Sequence, residues 1–473
     1  MADWRVSLGC GGTIARQRKS GEMTVEDARD DRAAGTAMGE DFRRKTTFYS
    51  AIFFAFLVLF YGSLYLLWII WPVLYHQVMT VLSIGPASFP FSDAHGWLSW
   101  IECRARGYDV LASNACDPLN HTMNYSPIFL DLPAWLQRSD TQAVGLATSG
   151  SFLLTLPFLL RPSSLPEFCT ACVAAVSTSV IFAVERANID VLIFTLVAAA
   201  ILLRRFRTAL PYSPYAIFLV GGLLKFYPLV LLSTSIRERP WAFVAVVAAS
   251  AIIVSGVAFV HWAELGKILG SQPPFIVWGD TFGARELPIG FAYFIPNIEF
   301  APLLAIECVC IASFCFAARI FVRLRDEELS FQSCGSSWDA LVFGSLLIVG
   351  CFFSGQNAGY RSIFLLLLLP GLRDMATGVS KPGLKAVLSA TQIAVFLLLW
   401  KDFFRRALEE LLRPTGKEHG LAQLPYFLFF VLRELNWWFI IAVASAVAAV
   451  FFYRSHTFRW TVSLLQRAPQ AAG

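Results

Sequence analysis

The sequence predicts an all-α polytopic membrane protein, a bundle of about 10–12 transmembrane helices with a helical first extracytoplasmic loop. Two observations carry that prediction. Of 473 residues, 56% are hydrophobic and only 15% are charged, whereas soluble domains usually carry about 25% charged residues. The apolar residues also fall in long runs, and a spanning helix needs about 20 of them nearly in succession. The net charge of +5 is spread over short connectors instead of one patch, which argues against a nucleic-acid partner.

From the N-terminus, residues 1–45 contain "RQRKS", "EDARDDR" and "FRRK" and lack the apolar stretch and cleavage pattern of a secretory signal. They read as a disordered cytoplasmic tail. The membrane-embedded part follows from 46 to 453, with spans expected at 46–73, 142–160, 168–185, 189–203, 241–261, 298–320, 338–354, 360–373, 384–400 and 426–453. Between the fourth and fifth, Gly221, Gly222, Lys225 and Pro228 interrupt "YAIFLVGGLLKFYPLVLLSTSI". Basic residues on both flanks make 214–236 a broken hairpin that dips into the bilayer and returns. Residues 454–473 form a second cytoplasmic tail.

Sidedness follows from the basic residues of short loops. Arg43, Arg44, Lys45, Arg161, Arg204, Arg205, Arg207, Arg237, Arg239, Arg319, Arg323, Arg325, Arg373, Lys381 and Arg454 fall on one side, which is then cytoplasmic. Segments 74–141 and 262–297 become extracytoplasmic. The stretch 401–419 breaks the rule with Lys401, Arg405, Arg406 and Arg413, and its spacing suggests an amphipathic helix on the outer interface. Cys169, Cys172, Cys308, Cys310, Cys315 and Cys351 lie in or beside apolar runs and read as small core residues. Cys103 and Cys116 share a polar loop, where a disulfide is open to them if it faces an oxidising compartment.

Polar residues in apolar surroundings mark the candidate site. The loop "FPFSDAHGWLSWIECRARGYDVLASNACDPLNHTMNYSPIFLDLPAW" sets Asp93 at the headgroup boundary, either as a base made useful by partial desolvation or as part of a helix N-cap with Ser92. "VERANIDVLIF" packs Glu185, Arg186, Asn188 and Asp190 into one break between apolar runs, open to reading as a solvated turn or a site. Lys225 stands alone in an uncharged segment. "SGQNAGYRSIF" places Asn357, Tyr360 and Arg361 at the mouth of a span, where Arg361 either snorkels to the surface or joins the others. Arg186, Lys225 and Arg361 together suit a lipid phosphate.

These residues resemble a known pattern. "FSD" after the first span and "RARGYDVLASNACDP" are similar to the opening loop of glycosyltransferase family 87, "ERANIDVLIF" to its Arg-Gly-Asn-Ile-Asp turn, and "LKFYPLVLL" to its Lys-x-Tyr-Pro hairpin, in the family's order over roughly the first half of the chain. "GYRSIFLLLLLPGL" resembles its late Arg-containing span. Ala187 stands where the family has Gly, and Leu111 where Tyr is commoner. The resemblance implies a GT-C bundle that moves a sugar, a hexose such as mannose, from a polyprenyl-phosphate donor to a glycan or glycolipid acceptor at the extracytoplasmic face of a bacterial inner membrane. Asp93 would be the general base, Arg186, Lys225 and Arg361 would hold the donor phosphate, and Glu185, Asn188, Asp190, Tyr227, Asn357 and Tyr360 would orient sugar or cations. No cofactor and no metal is demanded. His261 is the nearest candidate for a second catalytic group. The alternative is a flippase or transporter of a lipid-linked sugar, disfavoured because no repeat relates the two halves.

Overall fold

The computed structural model describes residues 25–85, 89–118, 120, 122–204, 210–270, 281–327, 335–412 and 424–467. The helices are α1 Val25–Ile70, α2 Pro72–Val81, α3 Ser92–Ala105, α4 Thr141–Leu160, α5 Leu165–Ala175, α6 Thr178–Arg186, α7 Ile189–Leu203, α8 Ser213–Leu224, α9 Pro240–Val260, α10 Trp262–Gly270, α11 Glu286–Phe294, α12 Ala301–Arg325, α13 Gly335–Ser354, α14 Leu368–Gly378, α15 Pro382–Leu399, α16 Lys401–Leu412, α17 Leu424–Arg454 and α18 His456–Arg467. Between them lie 3-10 segments and one antiparallel pair of two-residue strands, β1 Thr281–Phe282 and β2 Asn357–Ala358. The chain is an all-α, multi-pass membrane protein.

Proline sets many of the helix starts. It occupies the first turn of α2, α5, α8, α9, α12 and α15, where its missing N–H removes nothing because no intrahelical acceptor is available there. Helices α13 and α17 are the centre of the bundle, with most of their apolar stretches buried, whereas α9 and α12 turn nearly all of theirs outward. Outward apolar residues on long helices are what a lipid surround requires.

Among the described residues, seven helices are long and apolar enough to cross a membrane, or eight if the bent pair α5–α6 counts as one span. That is fewer than the 10–12 expected. The difference lies in segments that the site residues interrupt: α7 has 15 residues and α8 has 12, and the stretch expected to span at 360–373 is a 3-10 segment, Gly359–Leu367, leading into α14. The stretch 214–236 folds back on itself, with a 3-10 second limb, Tyr227–Arg237. Gly222 lets Leu229 pack against its backbone, and the Tyr215 hydroxyl donates to Glu238 at 2.8 Å across the open end.

One other expectation needs correction. The tail 1–45 was expected to be disordered, yet α1 is helical from Val25 because polar but helix-favouring residues continue the apolar helix backwards. Within 454–473, for which only a cytoplasmic location is expected, α18 runs to Arg467. Residues 1–24 and 468–473, Arg205, Arg207, 271–280 of the 262–297 loop and 413–419 of the amphipathic stretch lie outside the described residues.

Several of the basic residues expected on one side are held in local ion pairs and hydrogen bonds. Asp339 accepts from Arg204, and from Arg237 at 2.9 Å. Arg373 lies 3.1 Å from Glu167, Lys381 lies 3.8 Å from Glu327, and Arg454 donates to the Glu327 carbonyl at 2.8 Å. Separately, α3 and its loop build a small second core around Trp100, Met123, Phe129 and Leu130, closed by a Cys103–Cys116 disulfide.

Candidate active site

The break between α6 and α7 is a sharp corner. Ala187 ends α6 in the left-handed conformation, φ 45°, which costs a non-glycine residue about 1–2 kcal/mol. Asn188 then caps α7, its side-chain oxygen accepting from the Asp190 backbone N–H at 2.9 Å. This corner turns Asn188 and Asp190 inward, where both are fully buried. A solvated turn is therefore excluded.

Asp190 is the hub. Its Oδ1 accepts from Lys225 Nζ at 2.8 Å and from the Tyr227 hydroxyl at 2.7 Å, and its Oδ2 accepts from Arg361 Nε at 3.2 Å. The hairpin tip delivers Lys225 and Tyr227, and the 3-10 segment after β2 delivers Arg361. Asn357 accepts from Arg361, while its own amide donates to the Cys351 carbonyl at 2.6 Å and the Gly355 carbonyl at 2.9 Å, fixing which end of the amide faces the guanidinium. Aromatic faces complete the cradle: Lys225 sits 4.4 Å from the Tyr125 ring centre and 5.9 Å from that of Tyr360, and Arg361 sits 5.3 Å from that of Tyr227.

Asn188 joins this hub to Asp93. It donates to Asp93 Oδ2 at 2.5 Å and to the Tyr125 hydroxyl at 2.9 Å, and it accepts from Lys225 at 3.2 Å. Burial holds the Tyr125 phenol well above its usual range, so it stays neutral. On the other side, Arg186 Nη1 lies 3.5 Å from Asp93 Oδ1 and donates to Ser92 Oγ at 3.1 Å. Neither Ser92 nor Asp93 caps α3 through its side chain. The cap position is Phe91, itself left-handed at φ 67°. The capping reading of Asp93 thus gives way to one in which its carboxylate faces Asn188 and Arg186.

Phe91 holds the loop down. Its N–H donates to the Glu185 carbonyl at 2.6 Å, its ring stacks on Tyr65, and it fills the space beside Gly145, where a Cβ would come within 2.2 Å of the ring. Glu185 is buried with its carboxylate 3.6 Å from Arg186 and beside the Tyr75 hydroxyl.

Every candidate residue named from the sequence has a place here, and Asp93, Arg186, Asn188, Asp190, Lys225, Tyr227, Asn357 and Arg361 form one chain of contacts. Asp190 and Lys225 are sealed, with side-chain exposures of 0% and 6%, but Asp93, Arg186 and Arg361 remain open at 17%, 21% and 21%. His261 does not join this chain of contacts; its Nε2 lies 2.9 Å from Asp131. Sequence reasoning missed Tyr125, Phe91 and Gly145, since nothing local distinguishes them from ordinary loop and helix residues. It also missed Glu286, Arg433 and Glu434. For the last two, the signal was present: "VLRELNWWF" sets two charges inside an apolar run.

Three cations, Arg186, Lys225 and Arg361, meet three carboxylates, Asp93, Glu185 and Asp190. The cluster is balanced when all six are ionised, and one proton taken up by a carboxylate leaves it net positive. No family model, no curated protein and no solved structure matches the chain.

Proposed function

We propose that the protein is a membrane glycosyltransferase with a GT-C-type bundle, moving a hexose such as mannose from a polyprenyl-phosphate donor to a lipid-linked or glycan acceptor. In this reading the basic residues of the short loops face the cytoplasm of a bacterial cell with both termini, and the Asp93 cluster faces outward. The supporting observation is the convergence of Asp93 with Arg186, Lys225 and Arg361 through Asn188 and Asp190.

The chemistry is a single displacement at the anomeric carbon. Asp93 takes the proton of the acceptor hydroxyl as its oxygen attacks, the new glycosidic bond forms, and the bond to the phosphate oxygen breaks with inversion. The electron pair leaves on the polyprenyl phosphate. Protonation of Asp93 removes the negative charge facing Arg186 in the same step that the phosphate gains one. Arg186, the cation paired with Asp93, is thereby freed to stabilise the leaving group when its charge appears, with Arg361 held beside it by Asp190, and cations held in a water-poor site act more strongly there than in water. Asp190 keeps Lys225 and Arg361 in position and, being fully buried, does not compete as base.

The test is sugar transfer by the purified protein in lipid nanodiscs, given radiolabelled polyprenyl-phosphate mannose, glucose or arabinose and a membrane extract as acceptor. Transfer that disappears in a folded Asp93→Asn variant is the expected result. Donor movement across sealed vesicles without any transfer would overturn it in favour of a flippase.

A further inference from the structure

A second buried polar cluster lies next to the β1–β2 pair. Phe282 pairs with Asn357, the residue that steers Arg361. Next to β1, Glu286 opens α11, and opposite it α17 presents Glu434, Trp437 and Trp438 on one face, since residues three and four apart on a helix are neighbours. Gly283 permits the close crossing: at φ 153°, its missing Cβ would lie 2.3 Å from the Gly355 carbonyl oxygen. Glu286, Glu434 and Trp437 are 0% exposed and Trp438 is 3% exposed.

Among the described residues these side chains carry unmet hydrogen-bonding capacity of both kinds. Both Glu286 oxygens and Glu434 Oε2 lack donors, and Thr281 Oγ1 lacks a partner, although Thr281 and Gln356 face Glu286. The indole N–H groups of Trp437 and Trp438 lack acceptors. Arg433 satisfies one Glu434 oxygen at 2.8 Å, and Trp437 is stacked on Phe282 at 4.2 Å. Unsatisfied polar atoms at such depth each cost about 1–3 kcal/mol. Their concentration in one place points to a ligand that supplies donors and acceptors together, as hydroxyl groups do.

We propose that Glu286, Glu434, Trp437 and Trp438 form a subsite for the hydroxyl groups of a carbohydrate, positioned to hold the acceptor sugar while its reactive hydroxyl meets Asp93. Glu286 and Glu434 accept from hydroxyls, and the indole N–H groups donate to them. The assignment of this sugar as acceptor rests on the glycosyltransferase reading; the carbohydrate site itself does not.

The experiment measures binding of radiolabelled octyl α-mannoside and octyl β-glucoside to the full-length protein in nanodiscs without donor, then acceptor kinetics of the same glycosides with polyprenyl-phosphate mannose. Expected are saturable binding of at least one glycoside and an affinity at least tenfold weaker in Glu286→Gln and Glu434→Gln. In transfer, the two glutamate variants raise the acceptor KM at least tenfold while kcat and the donor KM stay within twofold. Trp437→Phe keeps an aromatic ring against Phe282 while removing the indole N–H, and shifts affinity in the same direction if a glutamate variant fails to fold. Absence of saturable binding by the wild type, or unchanged affinity in the folded variants, overturns the subsite. Binding without transfer removes the acceptor role and the glycosyltransferase reading while leaving the carbohydrate site standing.

Discussion

Asp339 and Asp190 each sit between two cations, and their surroundings differ. Asp339 receives Arg204 and Arg237 on one oxygen, and Arg237 is further covered by the rings of Phe343 and Phe451 at 5.4 and 5.2 Å. Asp190 receives Lys225 and Arg361, but its cations continue through Asn188 to Asp93 and Arg186, which are open to the outside. The same ion pairing therefore pins helices together in one place and poises charge in the other. The connection through Asn188 to a second carboxylate, Asp93, distinguishes the two, not charge count.

The comparison breaks most decisively at Asp93. Asp93→Asn is expected to lower kcat of sugar transfer by about 10²–10⁴, the range for losing a general base, with the melting temperature nearly unchanged. Asp339→Ala should do the reverse. It leaves Arg204 and Arg237 without their shared counter-ion, and breaking a buried pair costs about 3–5 kcal/mol; thermal unfolding in nanodiscs should register this while activity per folded molecule holds. If Asp339→Ala abolished transfer in folded protein, the division between pinning and poising would fail.

Smaller effects sharpen the same contrast. Arg361→Gln is expected to reduce kcat by about 10²–10³, as for removal of one transition-state charge partner, with the acceptor KM unaffected in steady-state kinetics. Double replacement Cys103→Ser with Cys116→Ser opens a link spanning 13 positions and should lower stability by about 3 kcal/mol, read as a melting shift that reductant reproduces in the wild type. Gly145→Ala forces Phe91 aside; because Phe91 seats the loop that bears Asp93, kcat should drop about tenfold, with donor binding retained in a filter assay.

Much of the site was legible one residue at a time. Lys225 in "GGLLKFYPL" and the charges of "VERANIDVLIF" stood out because ionisable groups are expensive in apolar surroundings and are kept where they are paired or used. The span count was less legible. Hydropathy registers apolar length alone, and it read 189–203 and 360–373 as ordinary crossings, although Asn188 restarts the helix beside the first and the second begins as a 3-10 segment at Gly359–Leu367. Glu286 could not be recognised at all, since it sits in a short polar connector in the sequence and becomes buried only when α11 meets α17.

The sequence by itself determined that this chain lives in a membrane, as an all-helical protein with its odd charges concentrated in a few breaks, because an apolar solvent forces backbone groups to bond within helices. Which charges meet was decided by the tertiary structure. Asp93 and Arg361 are separated by most of the chain, and the corner at Ala187, the hairpin tip at Lys225 and the clamp of Phe91 on Gly145 bring them to one place. Pairing between distant residues depends on the directions in which packed helices present their ends, and no local property of the sequence encodes those directions.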